Sequence, residues 1–185
     1  MLLPFLLAAL MAEAADPVEW VKAQHNNGDI QHADYRQIKY NSITKSTKYK
    51  LGHLRFVCPD TLRMDFEGKN QGDYAEFYPG RMFIRRDGMN LNFKVNKPND
   101  TMYPLYMATM LSFAGNVQDA AAMTNADVTT QITDSTYVFD LKTRKNVGLS
   151  GIKEMVLIYS RQTGLLQSLK IVEGSKSWTV WELRE

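Results

Sequence analysis

Residues Leu51 to Phe93 read LGHLRFVCPDTLRMDFEGKNQGDYAEFYPGRMFIRRDGMNLNF. Leu62, Met64 and Phe66 alternate with Arg63, Asp65 and Glu67. Met89, Leu91, Phe93 and Val95 alternate with Asn90, Asn92 and Lys94. Successive side chains of a strand point to opposite faces, so this pattern predicts strands with one wet face and one dry one. Turn signals separate the runs at Pro59-Asp60, Gly68, Pro79-Gly80 and Asp87-Gly88. Asp-Gly suits a type I′ hairpin turn, whose two central residues both need positive φ. The stretch therefore predicts consecutive antiparallel strands with an apolar face to cover.

Upstream, Asp16 can cap a helix that Pro17 opens, and Asn26-Asn27-Gly28 stops it. Ile30 to Lys50 has no Pro or Gly beyond that stop and is rich in Tyr, Ile and Thr, which predicts one or two long, half-exposed strands. Downstream, Pro98-Asn99-Asp100 breaks the strand pattern, and Thr101 to Phe113 has helical spacing. Leu105, Ala108 and Leu111 fall on one stripe there, with Met107, Met110 and Ser112 beside it. Gly115 ends that helix, and Val117 to Met123 predicts a second. Strand patterns resume at Ser135–Lys142, Glu154–Ser160, Leu165–Val172 and Ser177–Leu183. One helix, about six strands, a helical interruption and about four more strands suit a strongly curved antiparallel sheet or open barrel with helices across one mouth.

At 185 residues the chain is long enough for one domain with a real core. Its 22 basic and 20 acidic residues are interspersed, so the formal charge of +2 gives no field that argues for nucleic acid. Met1 to Ala14, MLLPFLLAALMAEA, couples a short apolar run to an Ala-x-Ala pattern. It predicts a secretory signal peptide cut after Ala14, with a mature domain over residues 15–185. A buried N-terminal helix is the competing reading, since no Lys or Arg precedes the apolar run. No cysteine follows the cleavage site, so the mature chain would be soluble in the periplasm rather than lipid-anchored.

The chain has one cysteine and three histidines without metal-ligand spacing, so no metal and no cofactor are expected. Cys58 with His53 or His32 could suggest a thiol nucleophile, but no family signature surrounds it. A lone cysteine at a strand end is more often a small buried hydrophobe. The histidines have no flanking acidic partner in sequence, which predicts surface or capping roles. Asp65 and Glu67 share the polar face with Arg63 and read as solvated charges. Catalytic residues are therefore not expected.

Methionine is more informative. Met102, Met107, Met110 and Met123 cluster in the helical interruption, and Met64, Met82, Met89 and Met155 lie in strands. Methionine fills irregular cores, and it also suits surfaces that repack around variable apolar ligands.

Several motifs in order resemble the LolA family of periplasmic lipoprotein carriers over Asp16 to Glu185. They are Tyr35-Arg36-Gln37, Gly52-His53-Leu54 running through Pro59 to Leu62-Arg63-Met64, the Asp87-Gly88 hairpin, and Pro104-Leu105 to Gly115. The closing stretch LIYSRQTGLLQSLKIVEGSKSWTVWEL completes the set. The resemblance implies a mainly β (α+β) fold: an incomplete, eleven-stranded, strongly curved antiparallel β-barrel with a helical lid over a hydrophobic cavity. It implies a non-enzymatic carrier that binds acyl chains of lipoproteins and shuttles them from the inner to the outer membrane. Its partners would be acylated lipoproteins, an inner-membrane lipoprotein-releasing transporter and, where one exists, an outer-membrane receptor; the carrier would be a monomer. An envelope sensor, or a carrier of another lipid or glycolipid on the same fold, is the alternative.

Strand parity then assigns the cavity wall to Leu54, Phe56, Leu62, Met64, Phe66, Leu91, Phe93, Tyr137, Phe139 and Leu157, with Leu105, Met107, Met110 and Leu111 on the lid. Family members often carry a basic residue before the strand-turn proline that helps hold the lid closed. Cys58 stands there in this chain, which makes Arg55 and Arg63 the nearest basic substitutes for lid control.

Overall fold

The structure, a computed structural model, describes residues 16–95, 103–146 and 151–184. The expected signal peptide, the Pro98-Asn99-Asp100 break and Met102 lie outside the described residues. Helix α1 (Pro17–Ala23) starts as expected: the Asp16 carboxylate accepts the Val18 N–H at 2.9 Å. Six strands follow: β1 (Ile30–Asn41), β2 (Ser46–Val57), β3 (Thr61–Phe66), β4 (Tyr74–Tyr78), β5 (Arg81–Arg86) and β6 (Met89–Lys94). Helices α2 (Tyr103–Phe113) and α3 (Val117–Thr124) come next. The last five strands are β7 (Ala126–Ile132), β8 (Thr136–Thr143), β9 (Ile152–Ser160), β10 (Leu166–Glu173) and β11 (Trp178–Arg184).

All eleven strands join one open, curved antiparallel sheet in the order β6-β5-β4-β3-β2-β1-β11-β10-β9-β8-β7. The pairing of β1 with β11 closes the middle of the sheet, where Gln37 faces Trp181. The two edges, β6 and β7, are the strands that flank α2 and α3 in sequence. The helical interruption is thus the link between the sheet's free edges. The β5–β6 hairpin turns as its sequence predicts, with positive φ at both Asp87 (50°) and Gly88 (77°).

Directly opposed residues of an antiparallel pair share a face, so the register defines rows across the concave side. One row runs Phe56, Leu62, Phe77, Met82, Phe93; the next runs Leu54, Met64, Ala75, Ile84, Leu91. On the other half Trp181, Leu169, Leu157 and Phe139 are aligned in the same way. Phe56, Phe139, Leu157, Tyr159 and Leu169 are wholly buried and form the centre of the core.

Two sequence expectations change. Strand β7 was not among the predicted strands, because ADVTTQI buries only Ala126 as a solvated edge and so shows no apolar alternation. Helix α2 does not bury a single Leu105–Ala108–Leu111 stripe. Tyr106, Ala108, Met110, Ser112 and Phe113 are buried, and no residue of α2 is fully exposed, because the sheet and α3 flank it.

Candidate functional site: an apolar cavity under α2

Helix α2 lies across the concave face without filling it. Beneath it is a cavity of about 150 Å³. The sheet supplies Leu62 and Met64 from β3, Phe77 from β4, Met82 from β5, Trp181 from β11, and Val95 just past β6. The helix supplies Leu105, Tyr106, Thr109, Met110 and Phe113. The wall is almost wholly carbon. Thr109 is tolerated there because its hydroxyl donates to the Leu105 carbonyl at 2.8 Å, and Ser112 bonds Ala108 O likewise at 2.7 Å. A cavity of this size and lining stays dry and accepts apolar guests.

One polar atom breaks this pattern. The indole N–H of Trp181 is sealed from solvent and has no acceptor among the described residues. A buried unpaired donor costs about 1–3 kcal/mol.

Two tyrosines fasten α2. Near its start, the Tyr106 hydroxyl donates to the Tyr78 carbonyl at the end of β4. Burial, with Asp60 and Tyr103 adding to it, pushes the Tyr106 phenol up to about 12, so it stays a neutral donor. Near the helix end, Tyr159 donates from β9 to Ser112 O at 2.5 Å, and burial pushes its phenol far above the usual range. Ring contacts add apolar grip: Phe113 on Phe56 at 5.5 Å and Tyr106 on Phe77 at 5.8 Å. On the outer side of α2, Met107 and Leu111 line a shallow groove with Pro59 and Pro79. Val95, Tyr106 and Met110 line both the cavity and that groove.

Of the residues expected to form the wall, Leu62, Met64, Leu105 and Met110 meet at the cavity. Leu54, Phe56, Phe139 and Leu157 share the concave face but are packed core behind the wall. Phe66 packs edge-on against Tyr35 at 6.4 Å, and Tyr137 lies against Trp20 of α1 at 5.4 Å. Leu91 and Phe93 are on the inward face but 42% exposed, since β6 is an edge strand beyond the reach of α2. They extend the two apolar rows from the cavity to the open edge. Phe77, Met82, Val95, Tyr106, Thr109, Phe113 and Trp181 complete the wall. Ala75 and Phe77 on either side of Glu76 were the available signal for Phe77, whereas apolar Phe83 between Met82 and Ile84 hid the inward face of β5.

The lid-control role expected of Arg55 and Arg63 is corrected by their placement. Both alternate with inward Leu54, Phe56, Leu62 and Met64, so they stand on the convex face, away from α2. Arg63 is held there by Asp65 at 2.7 Å and Glu76 at 3.7 Å, and its guanidinium lies 4.3 Å over Tyr74. The lid contacts are the two tyrosines instead.

The other reactive groups are engaged structurally. Cys58 is buried, and burial with Asp29 and Asp60 pushes its thiol up, which disfavours the nucleophilic thiolate. His53 does have acidic partners, but across strands rather than in sequence: Asp34 at 2.6 Å and Glu67 at 2.8 Å. His25 bonds Gly164 O at 3.1 Å and Gln31 at 2.8 Å, pinning α1 to the β9–β10 turn. Among the described residues no group of three His, Cys, Asp or Glu could hold a metal, and no helix is long and apolar enough to cross a membrane.

The chain matches no protein-family model and no curated protein sequence. Among solved structures it is similar to a LolA superfamily protein from Nitrosomonas europaea, with 8% identity over 91% of this chain and 90% of that one and a TM-score of 0.41. It is similar to a putative outer membrane lipoprotein-sorting protein domain from Vibrio parahaemolyticus, with 10% identity, coverage of 91% and 89%, and a TM-score of 0.45. A DUF1329 family protein from Desulfovibrio piger matches with 10% identity, coverage of 92% and 89%, and a TM-score of 0.45. Likenesses this distant say nothing of ligand or partner.

Proposed function

We propose that this protein is a non-enzymatic carrier that shelters acyl chains, and that its cargo is lipid-modified protein moved through the periplasm from the inner to the outer membrane. The observation that carries the reading is the carbon-lined cavity under α2, continued by the apolar rows that end at Leu91 and Phe93 on the open edge. An acyl chain can enter along those rows without crossing a polar barrier.

The closed cavity is too small for a whole chain, and this fits the physics of a carrier. At about 0.8 kcal/mol per buried CH₂, a chain of about 15 methylenes would gain about 12 kcal/mol if fully sheltered, which is too tight for timely release. Partial shelter with a movable lid keeps the affinity workable. Val95, Tyr106 and Met110 separate the cavity from the outer groove. A swing of α2 would join the two spaces and lengthen the site. The methionines at 64, 82 and 110 can repack as the cavity widens.

The test is native mass spectrometry of the protein expressed with residues 1–14 and recovered from a bacterial envelope. Co-purified acylated protein or lipid is the expected result. A ligand-free protein that also refuses acylated cargo in vitro would defeat the reading.

A further inference from the structure

We propose that the same cavity also takes an anionic amphiphile, a phospholipid whose phosphate-bearing head rests on Lys39, Lys48, Lys50 and Arg86. This rests on the acyl-binding reading above and adds a second class of acyl ligand beside the acylated protein, which carries no phosphate. The register places the four cations. Lys50 opposes Gln37, and Lys48 opposes Lys39. Gln37 in turn opposes Trp181 of the cavity wall, and Lys39 opposes buried Thr179. Opposed residues share a face, so all three lysines rise from the concave side that holds the cavity. Arg86 stands two residues beyond Ile84 and opposes Met89, on that side too. The Lys50 ammonium lies 4.2 Å over the Phe66 ring, which itself packs against the core.

Like charges directly opposite one another weaken a sheet, yet Lys39 and Lys48 are paired in that way. Burial holds the Lys50 ammonium below its usual range, followed by the charge of Arg86; Asp73 opposes, and Lys39 and Lys48 add to the depression. The Asp73 carboxylate also accepts the Asp87 N–H at 2.9 Å, and Arg86 reaches Asp87 only at a 3.5 Å, well-hydrated contact. The cluster therefore has an excess of positive charge on the concave face. An anion placed there relieves it.

The concave face is graded in the order an amphiphile needs. The rows of Leu62 and Met64 are apolar, the row of Tyr35 and Phe66 is aromatic, and the lysine rows follow along the same strands. Trp181, Gln37 and Lys50 are consecutive neighbours across β11, β1 and β2. Trp181 lines the cavity and begins the row that leads to the cations, and the ester or amide carbonyl of a bound acyl group would satisfy its unpartnered indole N–H.

The experiment uses Nile red, a neutral dye, to report the cavity by fluorescence. The dye is displaced by lysophosphatidylglycerol or lysophosphatidylcholine of one acyl length, below their micelle concentrations. Wild type is expected to bind the anionic lipid about tenfold more tightly than the zwitterionic one, several weak exposed charge pairs acting together. The advantage should shrink as ionic strength rises from about 50 mM to about 500 mM. The triple variant Lys39→Gln, Lys48→Gln, Lys50→Gln should reduce the ratio to within about twofold. The ratio compares two ligands on one protein, so partial loss of folded material cancels. Equal affinity of wild type for both lipids, with Nile red bound, would overturn the headgroup assignment and leave the cavity reading standing. No uptake of dye or lipid would overturn the cavity reading and the assignment together.

Discussion

Tyr35 and Gly52 oppose each other across β1 and β2, and a Cβ on residue 52 would lie 2.6 Å from the Tyr35 hydroxyl and 2.0 Å from the Asp65 carbonyl oxygen. The phenol occupies the space that a side chain would need, and its hydroxyl reaches Asp65 O on β3 at a long 3.5 Å. Both residues belong to short motifs separated by the whole β1–β2 hairpin, and the fold brings them into contact. The contact lies where the apolar rows give way to the lysines. Gly52→Ala is therefore expected to destabilise the protein by about 1–3 kcal/mol, since both near neighbours are held in place. Urea unfolding would check this, with an unchanged midpoint arguing against the contact.

Met82 is the cavity residue best suited to a charge. It is half-buried on β5 next to the edge strand, whereas Met110 is 2% exposed and would force a carboxylate into the core. Met82→Glu should weaken uptake of an acyl probe by at least about tenfold, because the chain would have to desolvate a carboxylate. The melting temperature should fall by no more than about 4 °C, in line with a change of about 1 kcal/mol. Dye binding and a thermal melt on the same sample measure both.

Tyr106→Phe removes the tether between α2 and the end of β4 while keeping the ring on Phe77. Losing a hydrogen bond of about 1 kcal/mol should speed amide exchange in α2 by about fivefold, with β1 and β2 unaffected. Exchange measured by mass spectrometry on α2 peptides tests this. The same change at Tyr159 leaves Ser112 O, deeper in the core, with only the Gly115 N–H at 3.2 Å and should cost more.

His53 and His25 should titrate on opposite sides of 6.5. The hydrogen bond that His53 donates to Asp34 comes first among the causes that raise His53, with the Glu67 charge adding to it. Burial lowers His25. A folded-state value above the unfolded one means that the His53 contribution to stability is fully present below about pH 6.5 and is lost as pH rises through the folded value. His25 has the reverse dependence. NMR titration of the ring protons reads both midpoints, and Asp34→Asn should bring His53 back toward 6.5.

Much of the fold was legible because its strands are half-buried. Leu62-Arg63-Met64-Asp65-Phe66 could be read as a strand with its faces assigned, and Asp87-Gly88 fixed a hairpin by its demand for positive φ. Strand β7 was hidden because an edge strand of Thr and Gln gains its place from backbone pairing with β8, which leaves no apolar period. The inward face of Leu91 and Phe93 followed from parity, but their exposure depends on how far α2 reaches, which is a tertiary fact. The same limit applies to Trp181, whose place in the wall depends on β11 returning to pair with β1 across the whole chain. The acidic partners of His53 come from β1 and from the end of β3, so no local motif could reveal them.

The most direct test of the acyl-carrier account compares a synthetic triacylated lipopeptide with the same peptide lacking its acyl groups, by native mass spectrometry. A one-to-one complex with the lipopeptide alone, lost in Met82→Glu, is the expected result. No complex with the lipopeptide, or equal binding of the two peptides, would contradict it.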